Sequence, residues 1–184
     1  MQASTTKKEP NIWKIDPTHT TVAFSIKNFF FFKVRGSFEI VAGAVVLDEE
    51  DIRLSSVSAT IKSTSIKTGK IRRDAHLRAA DFLDVERYPD ILFKSIRVEA
   101  GTDRDMFNVV GELTIRDKSR EIQLNANAVD RSCSPQGEEV VYYTAMTVVD
   151  RFDFGITYGR GVLGRKLEIV INLQATKQSK EAGV

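Results

Sequence analysis

"TVAFSIKN", Thr21 to Asn28, is the stretch that decides the fold. Val22, Phe24 and Ile26 alternate with Ala23, Ser25 and Lys27, and neighbouring side chains on a strand point to opposite faces. One face of this segment is therefore dry and the other wet. The same period of two recurs in "SVSATIKS" (Val57, Ala59, Ile61), in "REIQLNANAV" (Ile122, Leu124, Ala126, Ala128) and in "KLEIVINLQA" (Leu167, Ile169, Ile171, Leu173). Val170 breaks the rule in the last of these.

Four further runs, "VRGSFEIVAGAVVL", "ILFKSIRVEA", "FNVVGELTI" and "VVYYTAMTVV", bring the count to about eight strands. Short polar stretches such as "DEED", "GTDRD" and "RDKS" separate them, which favours an antiparallel up-and-down meander over parallel crossovers. Eight long antiparallel strands form either a sandwich or a closed barrel, and closure removes the exposed edges. A barrel of that size is either filled by side chains or holds one small ligand. Its apolar faces mix Phe24, Phe38 and Phe93 with Ala59, Ala126, Ala128 and Gly111, which leaves room inside. The one departure from strand periodicity is "KIRRDAHLRAADFLDVERYP", Lys70 to Pro89, expected to form one or two short helices. The expected organisation is a tail over residues 1–10, a barrel over 11–176 and a second tail over 177–184.

Composition excludes several function classes. A chain of 184 residues fits one domain, and a net charge of +2 gives no strong field for nucleic acid. The single cysteine, Cys133, excludes an intrachain disulfide and reads as an unremarkable loop residue. The N-terminus shows no apolar core of a secretion signal, so the expected compartment is the cytoplasm. No apolar run reaches the ~18 residues of a membrane-spanning helix, and stable membrane insertion is not expected.

Catalytic signatures are sparse. His19 and His76 lack a paired partner at metal-ligand spacing, and Asp74 and His76, two apart, would point to different sides of a helix. No metal and no cofactor are expected. There is no Gly-x-Ser-x-Gly elbow, and the glycines of "TYGRGVLGRK" precede a strand, not the helix a dinucleotide site needs. The basic cluster "KIRRDAHLR" reads first as a solvated helix face.

Taken in order, "IDPTHTTVAFSIKN", "VRGSFEIVAGAVVLD", "TSIKTGKIRRDAHLRAADFLDVERYPDILFKS", "VVGELTIRDKSREIQL" and "DRFDFGI" resemble the YceI-like family of polyisoprenoid-binding proteins. The resemblance spans about Trp13 to Ala175 and is most specific at Thr68, Gly69, Arg73, Asp74, His76, Leu77, Asp81, Phe82, Pro89, Phe93 and Ser95. It implies a lipocalin-like, eight-stranded antiparallel barrel, usually dimeric, whose apolar tunnel holds an isoprenoid chain or a similar lipid. It implies no established reaction, and many members are secreted. Two positions depart from the family pattern: Asn28 replaces a common histidine, and Arg116 to Ser119 replace a turn with a common glycine.

The leading expectation is thus a non-enzymatic carrier or store for a long apolar chain such as a polyisoprenoid, a quinone or a fatty acid. Alternation places Phe24, Ile26, Phe38, Ile61, Phe93, Leu113 and Met146 along the lumen, with Phe82 and Leu83 over one end. Arg73, Asp74 and His76 are read as an Arg–Asp pair with a capping histidine that ties the helical segment to the barrel; Arg72 or Arg73 is the alternative head-group contact. An enzyme using His19 or His76 as general base in the same cavity, or a ligand-free dimeric module, are the competing readings. In the run Phe29 to Phe32, alternation places Phe30 and Phe32 inward, and Phe29 and Phe31 outward, read first as a homodimer contact, with a membrane-docking rim or packing against the helical segment as the competing uses.

Overall fold

The computed structural model describes residues 10–28 and 32–178. Eleven strand segments form one sheet, and three pairs of them are single walls with a break. The first wall is β1 (Asn11–Ile15) and β2 (Thr21–Asn28); the second is β3 (Phe32–Phe38) and β4 (Val41–Leu47). The third is β5 (Ser56–Lys62) and the short β6 (Ile66–Lys67). Five continuous strands complete the set: β7 (Asp90–Ala100), β8 (Met106–Ile115), β9 (Lys118–Cys133), β10 (Glu139–Asp150) and β11 (Leu163–Lys177). All pairings are antiparallel.

Closure falls to β11, which pairs with β10 along one edge. Along the other it pairs with β2 through its first part (Ile169 opposite Phe24) and with β1 through its last (Ala175 opposite Ile15). The protein is a closed eight-stranded antiparallel barrel. The seam is packed by Trp13, fully buried against Val45, Val141 and Ala175. Arg131 and Lys177 lie over the indole at 5.2 and 5.6 Å from its centroid.

The region read as one or two helices contains one α-helix, α1 (Ile71–Arg78); residues 79–89 continue as turns tied by backbone bonds such as Asp84 N–H to the Ala79 carbonyl (3.0 Å). Meander topology gives the barrel two ends. Segments 63–89, 116–117 and 151–162 cross one end; 48–55, 101–105 and 134–138 cross the other.

Two glycines keep large rings against the wall. A Cβ on Gly36 would meet Phe24 Cζ at 2.6 Å, and one on Gly111 would meet Phe93 Cζ at 2.5 Å. The rings occupy the space a side chain would take, so bulky residues line the barrel without crossing it. In the β8–β9 turn Arg116 adopts φ 58°, while Ile115 pairs with Lys118. Positive φ at the first central residue of a two-residue turn favours glycine, so Arg116 carries local backbone strain there.

The break between β1 and β2 is held by Asp16. Its Oδ1 accepts from Thr18 N–H (2.8 Å) and the Thr18 hydroxyl (2.7 Å), and its Oδ2 accepts from His19 Nδ1 (2.7 Å). Partial burial raises the Asp16 pKa, but the bonds from Thr18 and His19 outweigh it and hold the carboxyl at about 2. This is below the ordinary aspartate value of about 3.9, so the stabilisation is present above pH ~4 and is lost as pH falls toward 2. We therefore expect Asp16→Asn to be less stable than wild type at pH 7. Urea unfolding should show that gap closing as pH falls from 4 to 2.

Candidate functional site

Two connected chambers run through the barrel. The inner, about 180 Å³, is lined by residues from every wall. Only Thr20, Ser55, Tyr143 and Thr147 among its side chains carry a polar atom. Thr20 Oγ1 donates to the Gln174 carbonyl (3.3 Å), and Ser55 Oγ accepts from Asp48 N–H (3.0 Å). Burial pushes the Tyr143 phenol pKa up and keeps it neutral; Arg131 opposes this shift and Glu49 adds to it. The outer chamber, about 340 Å³, shares Val22, Phe38, Ile91, Ile115 and Ile169 with the inner one, and these residues form the waist. Tyr158 and Val162 line the outer chamber and are also exposed, whereas no lining residue of the inner chamber is exposed. The mouth is therefore at the end crossed by α1 and residues 151–162.

The structure brings most of the expected lining residues together. Phe24, Ile26, Phe82 and Leu83 line the outer chamber, Ile61, Phe93 and Leu113 the inner, and Phe38 both. Two expectations are corrected. Met146 points outward and is 55% exposed; Tyr143, Ala145 and Thr147 face the lumen instead. Both parities of β10 carry apolar residues at its ends, as in Val140–Val141 and Val148–Val149, so alternation did not define its inner face. Phe32 has the parity of the lining residue Val34, yet it is 73% exposed. It pairs with Asn28 at the last described rung of the β2–β3 ladder, and on its other side β6 reaches only Ser37 and Phe38. Phe29, Phe30 and Phe31, with the expectations placed on them, lie outside the described residues.

His19 is also corrected as a candidate for the cavity. It sits outside, in the Asp16 turn, and lines neither chamber. Arg72 is exposed and lines neither chamber, while Arg73 and His76 line the outer one. The expected Arg73–Asp74 pair runs through an intermediary, Thr68. Arg73 Nε donates to Thr68 Oγ1 (2.7 Å) and its Nη2 to the Thr68 carbonyl (2.9 Å). Buried Asp74 accepts from Thr68 N–H (2.9 Å) and from the Thr68 hydroxyl. The α1 segment is thereby locked onto the chain leaving β6, with the Arg73 guanidinium at the chamber wall. His76 does not cap the helix. Its Nε2 meets Asp81 Oδ2 at 3.2 Å, and its ring packs edge-on to Phe82 (5.0 Å) and Tyr158 (4.8 Å).

Arg151, within the quoted "DRFDFGI", was not read as a site residue. It is buried and donates through Nε to the Gly164 carbonyl (2.8 Å) and through Nη1 to those of Ile156 (2.8 Å) and Tyr158 (2.7 Å). Its Nη2 bonds the Leu163 carbonyl at 3.1 Å. Burial lowers its pKa, Asp150 opposes this, and Arg160 and Arg165 add to it. One guanidinium thus satisfies two carbonyls of the mouth loop and two at the start of β11. The only sequence signal was a cation set between Asp150 and the aromatic Phe152 ahead of a glycine-rich loop. Among the described residues, no group of three or more His, Cys, Asp or Glu could hold a metal ion.

A closed antiparallel barrel around an apolar tunnel suggests binding of an apolar ligand. The chain belongs to the YceI-like family, whose domain matches residues 13–175. It is 29% identical over 168 residues to Protein YceI of Escherichia coli O157:H7, covering 90% of this chain and 87% of that protein. Among solved structures it is similar to Burkholderia cenocepacia BcnA, with a TM-score of 0.79 and 20% identity over 88% of this chain and 99% of that one. It is also similar to a polyisoprenoid binding domain from Saccharophagus degradans, with a TM-score of 0.69 and 12% identity over 90% and 98% of the two chains. These structural likenesses establish a shared fold.

Because four carbonyls depend on it, Arg151 should tolerate little change. A lysine cannot span all four, and each buried acceptor left unpaired costs about 1–3 kcal/mol. Arg151→Lys is expected to lose about 2–4 kcal/mol in denaturant unfolding, as one or two such acceptors imply. Limited proteolysis should then cut first within residues 155–162.

Proposed function

We propose that the protein is a non-enzymatic carrier or store for one long-chain apolar molecule, bound with its chain in the inner chamber and its head toward the mouth. The observation that carries this reading is the continuous tunnel, apolar in its inner chamber but for Thr20, Ser55, Tyr143 and Thr147, and with charged or ionisable side chains (Arg73, His76, Arg151) only at the outer one beside Asn28 and Tyr158. An apolar cavity of about 150 Å³ already stays dry and binds small hydrocarbons, and each chamber here is larger. Space of this size is costly to leave unpacked. At about 24 cal/mol per Å³, the inner chamber, which no exposed residue lines, would forgo roughly 4 kcal/mol, a large share of the net stability of a whole domain. Filling it by a chain contributes about 0.8 kcal/mol per buried methylene, a force that rewards length over chemical identity. Polyisoprenoids, quinones and fatty acids all fit that description, and the domain name of the Saccharophagus degradans neighbour favours the first. We also take the protein to be a homodimer, which sedimentation at micromolar concentration tests.

A second reading, an enzyme with His76 as general base, draws support from the His76–Asp81 contact at the chamber wall. It requires a bound molecule to be chemically changed. Organic extraction of gently purified protein, followed by mass spectrometry, is the deciding experiment: carriage predicts a stoichiometric long-chain lipid recovered unaltered after incubation. Ala145 is buried and lines the inner chamber, so Ala145→Phe should block the deep half of the tunnel. We expect this variant to bind a chain of about sixteen carbons at least tenfold more weakly, since two lost methylenes already cost that much. Binding of an eight-carbon chain should change little. Equal loss for both lengths would count against a chain lying in the inner chamber.

A further inference from the structure

The two ends of the barrel differ in charge and in exposed apolar surface. The far-end connections, 48–55, 101–105 and 134–138, carry seven Asp or Glu and two Lys or Arg. The mouth connections, 63–89, 116–117 and 151–162, carry nine Lys or Arg and six Asp or Glu. Asp74, Asp84 and Arg151 are buried, which leaves eight cations and four carboxylates more openly placed at the rim. Strand ends at the mouth add Lys27, Lys33, Arg165 and Lys166 against Asp150, paired with Arg165, and Glu168, paired with Lys33. A chain of nearly neutral total charge thus has a cationic mouth and an anionic far end.

Apolar side chains are exposed at that same mouth. Ile71 is 89% exposed on α1, while Arg73, His76 and Leu77 of the helix face the chamber. Phe32 stands at the last described rung of the β2–β3 ladder, and Tyr158 (49%) and Val162 (43%) stand on the loop Arg151 holds. Exposed apolar groups set among cations match an anionic bilayer surface, where rings and aliphatic chains enter the headgroup layer and cations meet phosphates.

We propose that the mouth docks on an anionic lipid bilayer, so that a chain can pass between membrane and tunnel without crossing water. The charge separation turns the mouth toward an anionic surface and the far end away from it. The passage step rests on the carrier reading; the docking itself does not. Binding is peripheral and reversible, because a few side chains and a modest charge excess anchor the protein far more weakly than a spanning segment would.

The test is co-sedimentation with vesicles of phosphatidylcholine, with or without phosphatidylglycerol. Wild type should pellet with the anionic vesicles, several-fold less at 0.5 M salt, and not with the neutral ones. Phe32→Ser with Ile71→Ser, and separately Lys70→Glu with Arg72→Glu, should each reduce binding about tenfold. Neither pair lines the tunnel, and an acidic residue in the first turn of α1 suits the helix dipole. Arg104→Glu at the far end should have little effect.

Uptake of a fluorescent fatty acid added from ethanol, without vesicles, reports the tunnel independently and should persist in all these variants. Failure of wild type to bind anionic vesicles, with uptake intact, would overturn docking and leave the carrier reading standing. Vesicle binding undiminished by either rim pair would also overturn it. Docking without uptake would instead remove the carrier reading alone.

Discussion

Everything in this molecule depends on closing the sheet at β11. A strand of fifteen residues must be matched on its free edge, and the matching wall is broken into β1 and β2. The far part of the seam therefore rests on β1, whose Trp13, Lys14 and Ile15 pair with Lys177, Thr176 and Ala175 and would hold weakly on their own. Trp13 compensates by packing, because a fully buried indole brings more apolar surface than any other side chain in so short a strand. Arg131 and Lys177 cover it from outside and share Glu139 as counter-charge. Without that closure the sheet has two open edges and the lumen has no wall.

A closed barrel of eight strands stands near the boundary between a filled core and a cavity, and small choices put this one on the hollow side. Gly36 and Gly111 let two phenylalanine rings lie along the wall, and Ala59, Ala126 and Ala145 withhold volume where neighbouring walls face one another. At the mouth the solution is different. The loop from Gly155 to Val162 lacks sheet partners, so two of its carbonyls, Ile156 and Tyr158, join those of Leu163 and Gly164 on Arg151, and α1 is locked through Thr68. Polar groups at the mouth thus divide into those spent on holding the structure and those with bonding capacity left.

Period-two alternation made the barrel legible wherever one face was plainly polar, as in β2, β5, β9 and β11. It failed at β10, where valines occupy both parities, and at Phe32, where parity was right but the wall had ended. The motif around Arg73, Asp74 and His76 was visible as a unit, but its wiring through Thr68 was not. Alternation carries no information about side-chain hydrogen bonds between neighbouring loops. Arg151 was hidden for a related reason: its partners are backbone carbonyls, and carbonyls leave no trace in residue identity. The α1 segment stood out because it alone abandoned the strand period, though its helical part proved to be eight residues of the twenty.

Cys133 ends β9 at the far end of the barrel, exposed and about a strand length from the mouth. A lone thiol in that place is a handle supplied by the native chain. Maleimide coupling there would graft the barrel onto a sensor chip or an optical fibre with its entrance facing the sample. It would equally carry a dye whose emission reports rotation of the whole body and not events inside it.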